Sequence, residues 1–325
     1  MSVTWGPGDT FLPAQTPTMY FVGVTTEKSS IRSVFDLWAQ ILGRPDVRLT
    51  GINLPMHAEP EEYRKVVDFL KNDPLSLGAL VTTHKVDLLR SCRDMFDFLD
   101  DGAISLHEVS CLSKSEGSFR GSAKDPLTSA LALDAFYPAK NWEREGSELI
   151  CLGAGGAALA LASSFATSIP GVTGPCRLVV TNRSSQRLEE FAEDYHALGA
   201  SPPVELVHAP NPEINDSWVS QAKPGSLVVN ATGLGKDAPG SPLTWGVEFP
   251  QDGYAWDFNY RGDLVFLDQA RVQKVSKNLG IEDGWIYFLH GWTQVISEVL
   301  NIPIEPDSEL FLELARAAES VHSGR

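Results

Sequence analysis

The ten residues Leu149-Ile150-Cys151-Leu152-Gly153-Ala154-Gly155-Gly156-Ala157-Ala158 constrain this chain more than any other stretch. A short apolar run meets a glycine turn, and an Ala/Leu-rich helical pattern follows. Gly153, Gly155 and Ala158 fit G-x-G-x-x-G/A in the strand–turn–helix context that the pattern requires. Glycine lets the backbone turn sharply and approach a pyrophosphate, while free N–H groups at the helix start bind its charge. A close-packed turn with no ligand would use the same residues. The strand before and the helix after favour a dinucleotide site over Gly153, Ala154, Gly155, Gly156 and Ala157.

The second strand of such a unit decides which dinucleotide fits. NAD sites usually place Asp or Glu about 20 residues on, to hold the ribose 2′-hydroxyl. No acidic residue occurs from Gly153 to Leu188, and the strand runs into Thr181-Asn182-Arg183-Ser184-Ser185-Gln186-Arg187. Guanidinium forks match phosphate geometry, so Asn182, Arg183, Ser184 and Arg187 suit a 2′-phosphate and NADP is the expected cofactor. A solvated helix start is the alternative. Arginine opposes the helix dipole there, which tilts the reading toward a ligand.

Alternating apolar runs and helical patterns predict an α/β fold with a mostly parallel sheet covered on both faces. Strands are expected at 19–24, 47–52 and 77–81, with helices over Ile31–Leu42, 60–70 and Lys85–Phe98. Residues 104–124 break the rhythm with short polar pieces. A second series begins at Leu149, with strands near 149–152, 177–181, 204–208, 226–230 and 254–258. Its helices are expected at 156–168, 185–198 and 264–279, and helices over 285–300 and 308–321 have no strand after them. The expected architecture is two-lobed: an N-terminal α/β lobe of 1–124 and 284–325, a Rossmann lobe of 125–283, and C-terminal helices returning to the first lobe.

Composition narrows the partners. Forty-two acidic side chains against 26 basic ones give a formal charge of −16, which disfavours nucleic acid. The N-terminus shows no basic segment leading into an apolar one, and the apolar run from Leu149 to Ala166 is broken by glycines, so neither a secretory signal nor a membrane span is expected. Cys92, Cys111, Cys151 and Cys176 form no CxxC pair, which suits reduced thiols in a cytoplasmic protein. The seven histidines are scattered, and no metal site is expected. A small-molecule substrate is the expected partner, with the oligomeric state, monomer or homodimer, left open.

GAGGAA, then TNRSSQR, then Asn230-Ala231-Thr232-Gly233-Leu234-Gly235 resemble the cofactor domain of the shikimate/quinate dehydrogenases, which carry GAGGAA, NRTxxR and NATxxG in that order. The resemblance covers the chain from about Tyr20 to the C-terminal helices. It implies a substrate-binding lobe first, an NADP-binding Rossmann lobe second, and cofactor contacts at Ala231, Thr232 and Gly233. Leu80-Val81-Thr82-Thr83-His84-Lys85 is similar to the family's NVTxPxK, and Gly121-Ser122-Ala123-Lys124-Asp125 to its GxNTD. Lys85 and Asp125 are thereby implied as the catalytic pair, with Ser29, Thr82, Ser110, Tyr287 and Gly291 at substrate-binding positions.

Several of those positions depart from the family pattern. Ser110 stands for asparagine, Ala123 and Lys124 for the asparagine and threonine of GxNTD, Gly291 for glutamine, and Ile31 for the second serine of SxSP. Sites built to pair substrate hydroxyls discriminate strongly, so the resemblance implies a dehydrogenase not optimised for shikimate, acting on a cyclic hydroxy acid or cyclitol-type alcohol. A non-catalytic NADP(H)-binding protein and a true shikimate or quinate dehydrogenase are the alternatives. Retention of both Lys85 and Asp125 favours the enzyme with a changed substrate.

Overall fold

The computed structural model describes residues 4–165, 174–199, 202–236 and 238–322, so the end of the helix expected over 156–168 lies outside them. Two compact units emerge: residues 1–124 with 289–325, and residues 125–288.

In the first unit, strands β1 (Thr4–Trp5), β2 (Thr18–Gly23), β3 (Arg48–Asn53), β4 (Ser76–Val81), β5 (Phe98–Leu99), β6 (Cys111–Ser115) and β7 (Ser118–Ser122) form one sheet. Their order is β1-β3-β2-β4-β6-β7-β5. Every residue of β2 is buried, as a central strand with both faces covered requires. Helices α1 (Ile31–Ile41), α2 (Pro60–Asn72), α3 (Lys85–Cys92) and α4 (Asp101–Leu106) alternate with the strands. Ile31, Val34, Phe35 and Trp38 recur at helical spacing and form the buried stripe of α1.

The C-terminal helices α10 (Trp285–Leu300) and α11 (Glu309–His322) complete this core. The Trp38 indole, fully buried, donates to the Leu314 carbonyl at 2.7 Å. The Trp292 ring meets Phe21 edge-on at 5.0 Å.

The sheet is mostly parallel, as expected, and only β6 departs, running antiparallel to both β4 and β7. Glu116 and Gly117 close the β6–β7 hairpin at φ 52° and 78°, the two-residue turn that matches strand twist. The helix expected over Lys85–Phe98 stops at Cys92. Asp97 accepts the Phe119 N–H at 2.8 Å and the Lys71 ammonium at 3.0 Å, which holds the chain on the sheet edge as β5.

The second unit is regular. Strands β8 (Leu149–Leu152), β9 (Leu178–Asn182), β10 (Val204–His208), β11 (Leu227–Asn230), β12 (Tyr254–Asp257) and β13 (Gly280–Glu282) make one sheet in the order β10-β9-β8-β11-β12-β13. All its pairings are parallel. Helices α5 (Asp125–Phe136), α6 (Gly156–Ser163), α7 (Ser185–Ala197), α8 (Pro212–Gln221) and α9 (Val265–Lys277) lie between and before the strands. The chain runs β8, β9, β10 to one edge and then crosses to β11 on the other side of β8. That reversal is the switch point at which doubly wound sheets hold ligands, outside the carboxyl ends of the strands. Among the described residues no helix is long and apolar enough to cross a membrane.

His290 on α10 is 2% exposed, stacks on Phe311 at 4.5 Å, and leaves Nδ1 without a partner among the described residues. Burial pushes its pKa down to about 4. The folded state therefore binds fewer protons than the unfolded chain between pH 6.5 and 4. The contribution to stability is full above pH 6.5 and declines as pH falls toward 4. Each tenfold change in proton affinity is worth about 1.4 kcal/mol. Urea unfolding at pH 7 and pH 5 should therefore show the unmodified protein losing about 2 kcal/mol more than His290→Phe. Parallel losses in the two proteins would exclude His290 as the source.

Candidate active site

The glycine turn is built around one close approach. Gly153 sits at φ +118°, and a Cβ there would lie 2.8 Å from the Ala231 carbonyl oxygen, so only glycine fits. The Ala231 N–H donates to Leu152 O at 2.9 Å, which presses the end of β11 against the end of β8. Gly155 precedes α6 in an extended conformation, with no side chain capping the helix. Gly155 and Gly156 are exposed, Ala157 is half-buried, and a Cβ on Gly155 would meet nothing within 4 Å. An uncapped helix start behind open glycine surface is a donor set for a pyrophosphate. The residues present fit a dinucleotide.

The loop after β11 is held from below by a buried polar network. Asn230 Oδ1 accepts from the Thr232 N–H at 3.1 Å and from the Thr232 hydroxyl at 2.6 Å, while Nδ2 donates to Asp257 Oδ2 at 3.1 Å. Asp257 Oδ1 accepts the Asn259 N–H at 2.9 Å, and Asn259 Nδ2 returns to the Thr232 carbonyl at 3.1 Å. Asp257 is fully buried, and desolvation raises its pKa to about 6 in spite of these bonds. The expected contacts Ala231, Thr232 and Gly233 thus lie on a loop fixed against Gly153. Asp257 and Asn259 escape sequence reasoning, because a lone Asp after a strand carries no signal.

At the end of β9, Asn182 Oδ1 accepts the Ser184 N–H at 2.9 Å, and Ser184 caps α7 by accepting the Arg187 N–H at 3.4 Å. Arg183 is exposed and forms no ion pair among the described residues. Arg187 instead pairs with Glu190 at 2.8 Å along the exposed face of α7. His208, not foreseen, ends β10 in register with Asn182, and its Nε2 lies 3.1 Å from the Arg183 carbonyl.

In the first unit, Ser29, Thr82 and Lys85 gather at the carboxyl end of β2. Ser29 N donates to Thr26 O at 3.3 Å, and a Cβ on Gly23 would meet both Thr26 and Thr82. The Thr82 N–H and hydroxyl both donate to Val22 O, at 3.0 and 3.2 Å. Lys85 opens α3, its N–H donating to Thr82 O at 3.3 Å and its carbonyl accepting from Val109 N at 3.3 Å. His84 is buried beside it, with Nδ1 3.0 Å from the Tyr63 hydroxyl, and burial lowers its pKa.

Other expected positions are engaged internally. Ser110 is 3% exposed and its hydroxyl accepts the Lys124 N–H at 2.7 Å. The Lys124 ammonium reaches Glu298 at 2.5 Å, and Glu298 also accepts from Ser113 at 2.7 Å and Ser122 at 3.0 Å. Burial works against the Lys124 ammonium, but the Glu298 carboxylate outweighs it and holds the lysine above its usual pKa. Ile31 is wholly buried in the core. Gly291 lies on α10. In the second unit Asp125 opens α5, and Tyr287 packs on Phe258 at 5.1 Å.

No protein-family model matches the chain. Over 186 residues, 57% of this chain, it is 28% identical to a shikimate dehydrogenase (NADP(+)) of Streptococcus gordonii, and the matched stretch spans 61% of that protein. In structure it resembles the quinate dehydrogenase of Corynebacterium glutamicum solved with NAD, at TM-score 0.72 and 18% identity, covering 94% of this chain and 99% of that one. It also resembles the 5-ketofructose reductase of a Gluconobacter species, at TM-score 0.67 and 17% identity, covering 94% of this chain and 99% of that one. In fold over nearly its whole length the chain is similar to quinate and shikimate dehydrogenases, and over the matched stretch its sequence is similar to a shikimate dehydrogenase.

Proposed function

We propose that this protein is an NADP-dependent dehydrogenase acting on the CH–OH group of a cyclic hydroxy acid or cyclitol-type alcohol other than shikimate. The observation that carries the reading is the glycine turn at Gly153–Gly156, closed by Ala231 and open in front of the uncapped α6. Bound there, a nicotinamide dinucleotide supplies the hydride acceptor or donor. Arg183 without an ion pair among the described residues, and a β9 end without a carboxylate, favour a 2′-phosphate.

Oxidising a secondary alcohol releases the hydroxyl proton as hydride leaves carbon. Lys85 takes that proton at Nζ and returns it in the reverse direction. Its place in the first turn of α3 helps, because the positive end of the helix dipole disfavours a second positive charge. Asp125, at the start of α5, is the second proposed catalytic residue, its carboxylate accepting a bond from a substrate hydroxyl. Ser29 and Thr82 stand at the same strand end as Lys85 and provide polar contacts. Tyr287 and Gly291 are the proposed substrate positions on α10.

The departure from shikimate rests on groups already committed. The Ser110 hydroxyl holds the Lys124 backbone, Lys124 is paired with Glu298, and Ala123 and Gly291 offer no side-chain bond. Fewer free polar groups suit a less hydroxylated or bulkier ring. The likeness in fold to a 5-ketofructose reductase indicates that this scaffold is not tied to one substrate.

NADP⁺ reduction against a panel of cyclic hydroxy acids and cyclitols should find a substrate with a higher kcat/KM than shikimate. A clear preference for shikimate over the whole panel, or no reduction of NADP⁺ with any member, overturns the substrate reading. Lys85→Ala should lower turnover by about 10²–10⁴-fold and leave NADP⁺ affinity within about twofold. Two glycine variants separate fold from ligand. Gly153→Ala should lower the melting temperature, since its Cβ meets backbone. Gly155→Ala should lower melting less, because its Cβ meets nothing within 4 Å and only the N-cap preference for Gly over Ala is lost, yet weaken NADP⁺ binding about tenfold or more by filling the cradle. Calorimetric titration beside thermal melts reads both.

A further inference from the structure

We propose that His208 is a specificity-determining residue that partners the 2′-phosphate of the dinucleotide together with Arg183, an assignment that rests on the NADP reading above. Three observations carry it. The first is position. β8, β9 and β10 are consecutive neighbours, and β9 and β10 end at the same level, Asn182 opposite His208. The Ala209 N–H donates to Asn182 O at 2.8 Å, so the two chain segments leave the sheet side by side on its ligand-bearing edge.

The second is ring orientation. The Nε2 of His208 lies 3.1 Å from the Arg183 carbonyl oxygen, which can only accept. Nε2 therefore carries the hydrogen, and this bond fixes the exposed imidazole against the residue that brings the guanidinium. Nδ1 is left without a partner among the described residues. A phosphate dianion alongside stabilises the imidazolium, and Nδ1–H then donates a charge-assisted bond to it.

The third is that the other arginine of this loop is already paired. Arg187 is turned along α7 to Glu190. In a chain of formal charge −16, a polyanionic ligand needs local positive charge. Arg183 and His208, joined through one hydrogen bond, provide it from two adjacent strand ends. Asn182 and Ser184 are occupied with each other and with the start of α7.

The test uses the whole protein and two small probes, 2′,5′-ADP and 5′-AMP, which differ by the 2′-phosphate. In calorimetric titration the unmodified protein should bind 2′,5′-ADP more tightly. His208→Ala should weaken 2′,5′-ADP about tenfold, on the scale of one charge-assisted bond, and leave 5′-AMP within twofold. His208→Gln retains a donor for the Arg183 carbonyl but cannot become a cation, and should show the same selective loss. Arg183→Ala should lose at least as much. Unchanged 2′,5′-ADP affinity in His208→Ala overturns the assignment, and so do equal losses for the two probes, which would mark a structural effect on the strand end. If the unmodified protein does not distinguish the probes, the NADP reading falls and takes the His208 assignment with it. Selective loss in Arg183→Ala alone removes only His208.

Discussion

The backbone contact between Gly153 and Ala231 is the constraint on which the second unit depends. Two parallel strands, β8 and β11, must end so close together that one residue lacks a side chain altogether. From that approach follow the turn that opens α6, the exposure of Gly155 and Gly156, and the course of the loop over 231–235. The polar atoms beneath the loop have little freedom of their own. Asn230 and Asp257 are buried completely, so each must find partners inside the protein. The partners they find are the backbone and hydroxyl groups of the same loop.

In the first unit, electrostatics has a comparable organising role at another place. Lys124 stands just before α5, and Glu298 answers it from α10. A largely buried pair of this kind adds little net stability over an apolar alternative, yet removing one partner leaves the other charge stranded. The pair fixes geometry more than it adds stability. Its neighbours Ser110, Ser113 and Ser122 carry the same restraint to β6, β7 and the turn before α5.

What the sequence discloses follows from how local each cause is. The glycine turn is legible because a positive φ and a backbone approach admit one residue type, and the stripe of α1 because four apolar positions share a face. The hairpin of β6 and β7 is hidden, since Glu116 takes a left-handed conformation where Asn or Asp would have announced the turn. α8 is short and polar, and only Asn211-Pro212 at its start could signal it. Glu298 cannot be matched to Lys124 from spacing, and the place of His208 depends on strand register. Arg187 shows the converse: its motif position is clear, but its nearest partner, Glu190, is one helical turn away.

The route of the chain has a consequence for its birth on the ribosome. The second unit is one continuous stretch, whereas the first is finished only by residues 289–325. The indole of Trp38 meets a carbonyl that lies 276 residues further along the chain. At roughly 5–20 residues per second, that partner arrives about 15–55 seconds after Trp38 itself. During this interval the nascent protein carries an incomplete first unit, with the ring of Phe21 also awaiting Trp292. Chaperones that shield apolar surface would find their target there, and a message cut short before residue 289 would yield a finished second unit attached to an unfinished first one.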